Sequence, residues 1–320
     1  MNILVTGGAG FIGHNVVRML EAQGHQCFIV DNTTNYGFVP VDEIEYLNEQ
    51  RIRKIRSNVH RVDIRDAKRL NDMFITFHPE MVIHLASFPR QKVVSGNPAW
   101  GSEVMSTGLI NLLEVSKANR VKKFVYISSS MVYGDFTDDV REDAVCNPQG
   151  QYGIMKLMGE WLVKDYNRRG CFDYTIIRPS AVYGELDVED RVVSKFMLAA
   201  MRDQILKVNG AGETLDFTYV EDAARGIAQA ALSANANNKT YNITKSHSYS
   251  LLDAANLAVK IAGRGRIEVR DKDADFPSRG ALNIDAARRD FGFDPQVDVE
   301  EGFRRYHSWF KSDPFWQAKI

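Results

Sequence analysis

One segment constrains the chain more than any other. Thr6-Gly7-Gly8-Ala9-Gly10-Phe11-Ile12-Gly13 follows a short apolar run, Ile3-Leu4-Val5, and leads into a segment with helical periodicity, Phe11 to Ala22, whose Ile12, Val16, Met19 and Leu20 form one stripe. Gly7 allows a tight turn, Gly10 a close backbone approach, and Gly13 close helix packing, while the helix start offers unpaired amides to a pyrophosphate. The segment therefore predicts a strand, a phosphate-cradling turn and a helix in that order.

Eighteen residues past Gly13 stands Asp31, at the end of the second apolar run, Cys27-Phe28-Ile29-Val30. A carboxylate there accepts from both adenosine ribose hydroxyls and repels a 2′-phosphate, so the expected cofactor is NAD and not NADP.

Further apolar runs recur at Met81-Val82-Ile83-His84-Leu85, Phe124-Val125-Tyr126-Ile127 and Tyr174-Thr175-Ile176-Ile177. They are continuous, not alternating, which predicts strands covered on both faces, as in a parallel sheet. Helical segments alternate with them, Leu109 to Ala118 among them, and the expected fold is α/β with a doubly wound parallel sheet. After about residue 178 the rhythm changes. A loop-rich stretch, helices over Val192 to Arg202, Asp222 to Ser233, Leu251 to Ala262 and Glu300 to Phe310, and a strand at Thr240-Tyr241-Asn242-Ile243 indicate a second, smaller α/β lobe. The expected division is 1–177 plus about 216–246 for the dinucleotide, and about 178–215 plus 247–320 for the substrate.

Composition excludes several classes. Forty Lys and Arg against 41 Asp and Glu give a formal charge of −1, so there is no basic surplus for nucleic acid. No apolar stretch reaches the 18 residues a membrane helix needs, and the start of the chain lacks the pattern of a secretory signal. Cys27, Cys146 and Cys171 are too far apart for a thiolate metal site or a redox pair. A cytoplasmic protein without a metal, nucleic-acid or membrane partner is expected.

Tyr152 and Lys156 stand four apart on an expected helix, hence on one face. A phenol with an ordinary pKa near 10 needs a shift of about three units, roughly 4 kcal/mol, to act as a base at neutral pH; an adjacent ammonium and a nicotinamide cation together would supply it. Tyr241 and Lys245 share that spacing but straddle a strand, where four residues span about 13 Å, too far for activation. The first pair is favoured because Ser128-Ser129-Ser130 closes a strand at the sheet's carboxyl edge, where ligands of doubly wound folds bind.

Taken together, Thr6 to Gly13, Asp63-Ile64-Arg65-Asp66, His84-Leu85-Ala86, Ser128 to Gly134, Tyr152-Gly153-x-x-Lys156, Arg178-Pro179 and Asp216-Phe217-Thr218-Tyr219-Val220 resemble the extended short-chain dehydrogenase/reductase family, within it the NAD-dependent sugar-nucleotide epimerases and dehydratases. The resemblance implies a Rossmann sheet and a catalytic set of Ser129, Tyr152 and Lys156. It implies cofactor contacts from Gly7, Gly10, Phe11, Ile12, Gly13, Asp31, Asn32, Asp63, Ile64, Leu85, Ala86, Ser87, Tyr152, Lys156 and Pro179. It further implies a nucleotide-sugar substrate and a homodimer built through helices near 99–119 and 152–169.

The implied reaction is epimerisation at C4 through a transient 4-keto sugar. The alternative is a C4 dehydrogenase or keto-reductase with net redox. A 4,6-dehydratase ranks lower because Ser130 and Met131 occupy the positions of the acidic pair such enzymes carry, and a non-catalytic NAD-binding protein is the last reading. Three departures stand out: Leu215 replaces a phosphate-gripping arginine, Ala181 an asparagine after Arg178-Pro179, and Met105 an asparagine before a helix under the cofactor. Substrate phosphates then depend on other groups, with Ser130, Arg90, Lys92, Arg191, Lys195 and Arg279 as candidates. The loop Ser87-Phe88-Pro89-Arg90-Gln91-Lys92 points to a specialised substrate.

Overall fold

A computed structural model describes residues 1–274 and 276–320. From the N-terminus it runs β1 (Asn2–Thr6), α1 (Phe11–Ala22), β2 (Gln26–Val30), α2 (Val41–Arg53), β3 (Val59–His60), α3 (Ala67–Phe77), β4 (Met81–His84), α4 (Gln91–Gly96), α5 (Pro98–Ser102), α6 (Leu109–Ala118), β5 (Lys123–Ile127), α7 (Gln151–Arg168) and β6 (Asp173–Pro179). It continues with β7 (Val182–Tyr183), α8 (Val192–Met201), β8 (Ile205–Asn209), β9 (Thr214–Asp216), β10 (Thr218–Tyr219), α9 (Val220–Leu232), β11 (Lys239–Ile243), β12 (Ser248–Ser250), α10 (Leu251–Ala262), β13 (Arg266–Arg270), α11 (Asp285–Phe291), α12 (Val299–Ser312) and α13 (Pro314–Gln317). Between α5 and α6 the chain passes through a π-helical turn at Glu103–Gly108.

The central sheet is parallel, in the order β11-β6-β5-β4-β1-β2-β3. Order reverses between β1 and β4, and that reversal opens a crevice at the carboxyl edge. Both faces are covered, as the continuous apolar strands require. One core joins Val16, Val17 and Leu20 of α1 with Ala224, Ile227 and Ala228 of α9 and with Ala287 of α11. The other gathers Leu70 and Phe74 of α3, Leu109, Leu112 and Leu113 of α6 and Val163 of α7.

A separate core lies outside the sheet, in the smaller lobe. Phe196, Met197 and Leu198 of α8, Ala254, Ala255 and Ala258 of α10, and Phe303, Tyr306 and Phe310 of α12 pack around Leu206 and Val208. The parallel pair β8 and β13 forms its edge.

Helix α2 bridges the two regions. Its buried face is polar: Arg51 donates from Nε and Nη2 to the Leu186 carbonyl at 3.1 and 2.7 Å, and Glu43 accepts from the Glu189 amide at 2.7 Å. Tyr46 donates to Asp313 at 2.7 Å and stacks on Phe315, and Lys319 pairs with Asp42 at 2.9 Å.

Candidate active site

The glycine turn adopts the geometry its sequence demands. Gly7 has φ +71° and donates to the Val30 carbonyl at 2.9 Å, and Gly10 donates back to Gly7 at 3.0 Å. A Cβ on Gly7 would lie 2.5 Å from the Ala86 nitrogen, and one on Gly13 only 2.1 Å from the Gly7 carbonyl oxygen. Only glycine lets the turn, the helix start and the β4 end come this close.

Asp31 is held ready at the end of β2. Its Oδ2 accepts from the Ala9 amide at 3.0 Å and its Oδ1 from the Thr33 amide at 2.8 Å, which leaves further lone pairs on both oxygens for ribose hydroxyls. Burial raises the carboxyl pKa, and those two amides draw it back. Asp63 accepts from Asn32 at 2.9 Å and forms an ion pair with Arg65 at 2.9 Å, so its side chain fixes the loop while Ile64 lines the cleft beside it. Turn, carboxylate and apolar walls from Ile64, Leu85 and Ala86 fit an adenine dinucleotide.

The sequence-derived site residues line one cavity of about 900 Å³. Ser129 follows β5, its Oγ accepts from the Met131 amide at 3.2 Å, and it lines the cavity together with Tyr152. Tyr152 and Lys156 share the first turns of α7, whose start is fixed by Gln91: its Oε1 accepts from the Tyr152 amide at 3.2 Å. Lys156 donates from Nζ to the Ile127 carbonyl at 2.8 Å, and its Nζ lies 5.7 Å from the centroid of the Tyr152 ring.

Lys156 alone does not acidify the phenol, and the shift expected of Lys156 and a nicotinamide cation together needs the second charge. Burial raises the Tyr152 pKa, opposed by the Arg191 charge and the Ser129 hydrogen bond; burial also pushes Lys156 down to about 7, opposed by Glu160. The ammonium is turned to a backbone carbonyl, so the phenol stays neutral without further positive charge. Tyr241 and Lys245 diverge as expected of a strand: the first donates to Asp290 at 2.6 Å, the second to the Pro295 carbonyl at 3.1 Å.

The cationic candidates separate by environment. Arg90 pairs with Asp190 at 2.5 Å, Lys92 with Asp273 at 2.8 Å, and Lys195 with Asp190. Arg279 is half-buried, its enclosed Nε has no partner, and its pKa is pushed down to about 10 by desolvation and by Arg191, with Glu213 opposing. An orphaned guanidinium nitrogen in a cleft is a prepared anion contact. Ser130 donates to the Ser180 hydroxyl at 3.2 Å, and Pro179 lines the cavity.

Sequence reasoning missed two supporting residues. Gln91 anchors Tyr152 from 61 residues away, and no local pattern announces it. Glu160, one turn after Lys156, accepts from Ser128 at 2.5 Å and pairs with Arg178 at 2.6 Å, both deeply buried. Its four-residue offset from Lys156 was a readable signal.

Known proteins match this architecture. Residues 3–244 match the model of the NAD dependent epimerase/dehydratase family. The UDP-glucuronate 4-epimerase of Thermodesulfobacterium geofontis is 28% identical over 319 residues, 97% of this chain and 96% of the relative. Among solved structures, the UDP-glucuronic acid 4-epimerase of Bacillus cereus, in complex with UDP-glucuronic acid and NAD, superposes with a TM-score of 0.89 at 26% identity, covering 98% of this chain and 99% of the other. The UDP-glucose 4-epimerase of Thermotoga maritima, with UDP-glucose, gives 0.86 at 27% identity, with 98% and 99% covered. With its dinucleotide cradle, its Ser129, Tyr152 and Lys156 cluster and a match over most of its length, this chain belongs to the NAD dependent epimerase/dehydratase family.

Proposed function

We propose that the protein is an NAD-dependent nucleotide-sugar epimerase acting at C4 through a transient 4-keto sugar. The observation that carries this reading is the convergence of Ser129, Tyr152 and Lys156 beside the glycine cradle in one cavity.

Bound NAD supplies a hydride acceptor and a positive ring. Asp31 holds the adenosine ribose, and Gly7, Gly10 and Gly13, with the α1 amides, take the pyrophosphate. Phe11, Ile12, Asn32, Asp63, Ile64, Leu85, Ala86, Ser87 and Pro179 complete the cofactor contacts. Tyr152, ionised once that positive ring stands beside it, would take the proton from the 4-hydroxyl, Ser129 would hydrogen-bond the same oxygen, and Lys156 would hold the nicotinamide ribose. After the keto sugar turns over in the cavity, its other face would receive the hydride at C4 and Tyr152 would return the proton to the 4-oxygen. Arg279 takes the substrate diphosphate in place of the arginine that Leu215 lacks.

The core of α8, α10 and α12, separate from the two that cover the sheet, supports a division of labour, with 1–177 and about 216–246 for the dinucleotide and about 178–215 and 247–320 for the substrate, α11 within the last range packing on the sheet through Ala287. A homodimer is part of this proposal: Ile110 on α6 and Ile154 and Trp161 on α7 are exposed, Trp161 by 67%. So is a cytoplasmic location, in keeping with three cysteines that form no disulfide. Among the described residues no helix is long and apolar enough to cross a membrane.

The test is to denature the purified protein, identify the released dinucleotide by mass spectrometry, and screen UDP-, GDP-, CDP- and dTDP-sugars for C4 isomers by NMR. Isomerised product without net absorbance at 340 nm is expected. A sustained rise at 340 nm would replace this reading with a dehydrogenase.

A further inference from the structure

Three consecutive residues of the connection after β4 are fastened to three different parts of the molecule. Arg90 reaches the segment before α8: its Nη2 lies 2.5 Å from the Asp190 carboxylate and its Nη1 donates to the Asp190 carbonyl at 2.6 Å. Gln91 accepts from the Tyr152 amide at 3.2 Å, at the start of α7. Lys92 reaches the stretch after β13, where its Nζ lies 2.8 Å from the Asp273 carboxylate and 5.5 Å from the centroid of the Phe276 ring.

The backbone is strained where the first contact is made. Arg90 has φ 58° and ψ 157°, a region that residues other than glycine occupy only when their surroundings compel it. Arg90, Lys92, Asp190 and Asp273 all line the cavity, yet the Arg90 and Lys92 side chains remain 19% and 53% exposed. Groups that face both the cavity and solvent stand on its rim. Both ion pairs therefore span that rim, joining the carboxyl edge of the sheet to the smaller lobe, and Gln91 between them holds the loop to the helix of Tyr152.

What a closed rim does follows from the chemistry beneath it. Halfway through a C4 epimerisation the C4–H bond is broken, its hydride is on the nicotinamide, the hydroxyl proton is on Tyr152, and the sugar is a ketone. A fresh sugar, with its hydroxyl intact, has no carbonyl to take that hydride back. Escape of the ketone at this stage therefore leaves the protein holding NADH and idle. Resting on the C4 epimerase reading, we propose that residues 87–92 form a strap over the cavity, clasped by Arg90 to Asp190 and by Lys92 to Asp273, which retains the 4-keto sugar until the hydride returns. The charges of Arg90 and Lys92 are spent on these clasps and not on the substrate, and they set how often a cycle is aborted.

The test uses the full-length, NAD-loaded protein with UDP-glucose, UDP-glucuronate, GDP-mannose, CDP-glucose and dTDP-glucose, and proceeds with each sugar whose C4 isomer is seen by NMR. Aborted cycles are counted twice: as 340 nm absorbance retained by the protein after ultrafiltration, and as ketone in the filtrate, which borodeuteride marks with one deuterium at C4 for mass spectrometry. Aborted cycles per turnover rise about fivefold in Arg90→Met or Lys92→Met and about 25-fold in the double variant, and Arg90→Lys keeps part of the retention. Salt separates a clasp from a general loss of packing. Raising the ionic strength from about 0.05 M to about 0.5 M increases aborted cycles in the wild type and leaves the double variant level. An unchanged ratio in the double variant, or the same salt dependence in both proteins, overturns the strap while leaving the epimerase reading in place. Absence of isomerisation with every sugar overturns both.

Discussion

The ammonium of Lys156 is bonded at 2.8 Å to the carbonyl of Ile127, the last residue of β5. This bond fixes the side chain across the crevice floor, between the sheet's carboxyl edge and the Tyr152 ring, and Glu160 one turn later keeps it from losing its charge entirely. Burial keeps Tyr152 itself neutral, with the Arg191 charge and Ser129 opposing. The predictions below follow from this arrangement and from the charges around it.

Tyr152→Phe deletes one hydroxyl and little packing. Turnover is expected to fall by about 1,000-fold or more, with the dinucleotide still bound and the melting temperature within about 2 °C of wild type. NMR of the sugar product and thermal melts measure both. Turnover within tenfold of wild type would remove Tyr152 from the mechanism.

Arg279→Met removes a half-buried cation whose enclosed Nε lacks a partner. KM for the sugar nucleotide should rise by about 100-fold, while the melting temperature stays level or increases, because the desolvated charge is gone. A lower melting temperature with unchanged KM would show a structural role instead.

Asp31→Ser replaces the carboxylate at the adenosine ribose. The ratio of NADP to NAD affinity should increase by about 100-fold, as the repulsion of a 2′-phosphate is relieved. Loss of the bonds to Ala9 and Thr33 costs about 1–3 kcal/mol of stability. Fluorescence titration with both dinucleotides decides the first point.

Asp216 accepts from the Leu282 amide at 3.0 Å, and burial pushes its pKa up to about 6. A carboxyl whose folded pKa is raised stabilises the fold fully below its ordinary value near 4 and loses that contribution as pH rises through about 6. The melting temperature of Asp216→Asn minus that of wild type should therefore grow between pH 4 and pH 6 by about 3 °C or more. A flat difference would mean that Asp216 ionises as easily folded as unfolded.

Trp161→Glu places a charge in the exposed apolar face of α7. Light scattering at micromolar concentration should change from a dimeric to a monomeric mass. A wild-type monomer would end the dimer proposal.

Local pattern made much of this legible. Phe11–Ala22, Leu109–Ala118 and Leu251–Ala262 have the ends that periodicity and glycine placement imply. The parallel strands announced themselves because burial on both faces leaves them apolar throughout. Helix α2 did not: its buried residues are Glu43, Leu47 and Arg51, so its inward stripe is mostly charged and escapes a hydrophobic template. Strands β8 and β13 alternate polar and apolar residues and pair across some 60 positions, which a local window does not see. At the site, residue types and spacing brought Ser129, Tyr152 and Lys156 together, but not the direction of the Lys156 bond. That depends on a carbonyl freed where β5 ends.

Helix α2 has one more effect. The connection that carries Asp31 runs directly into it, and Asp42, Glu43, Tyr46 and Arg51 fasten it to residues near 186–189 and 313–319. For the adenosine end of a bound carrier to escape past this brace, four separate attachments must part together. Escape is therefore expected to be slow beside each catalytic cycle, as suits a catalyst that takes a hydride from its sugar and must hand it back to the same molecule.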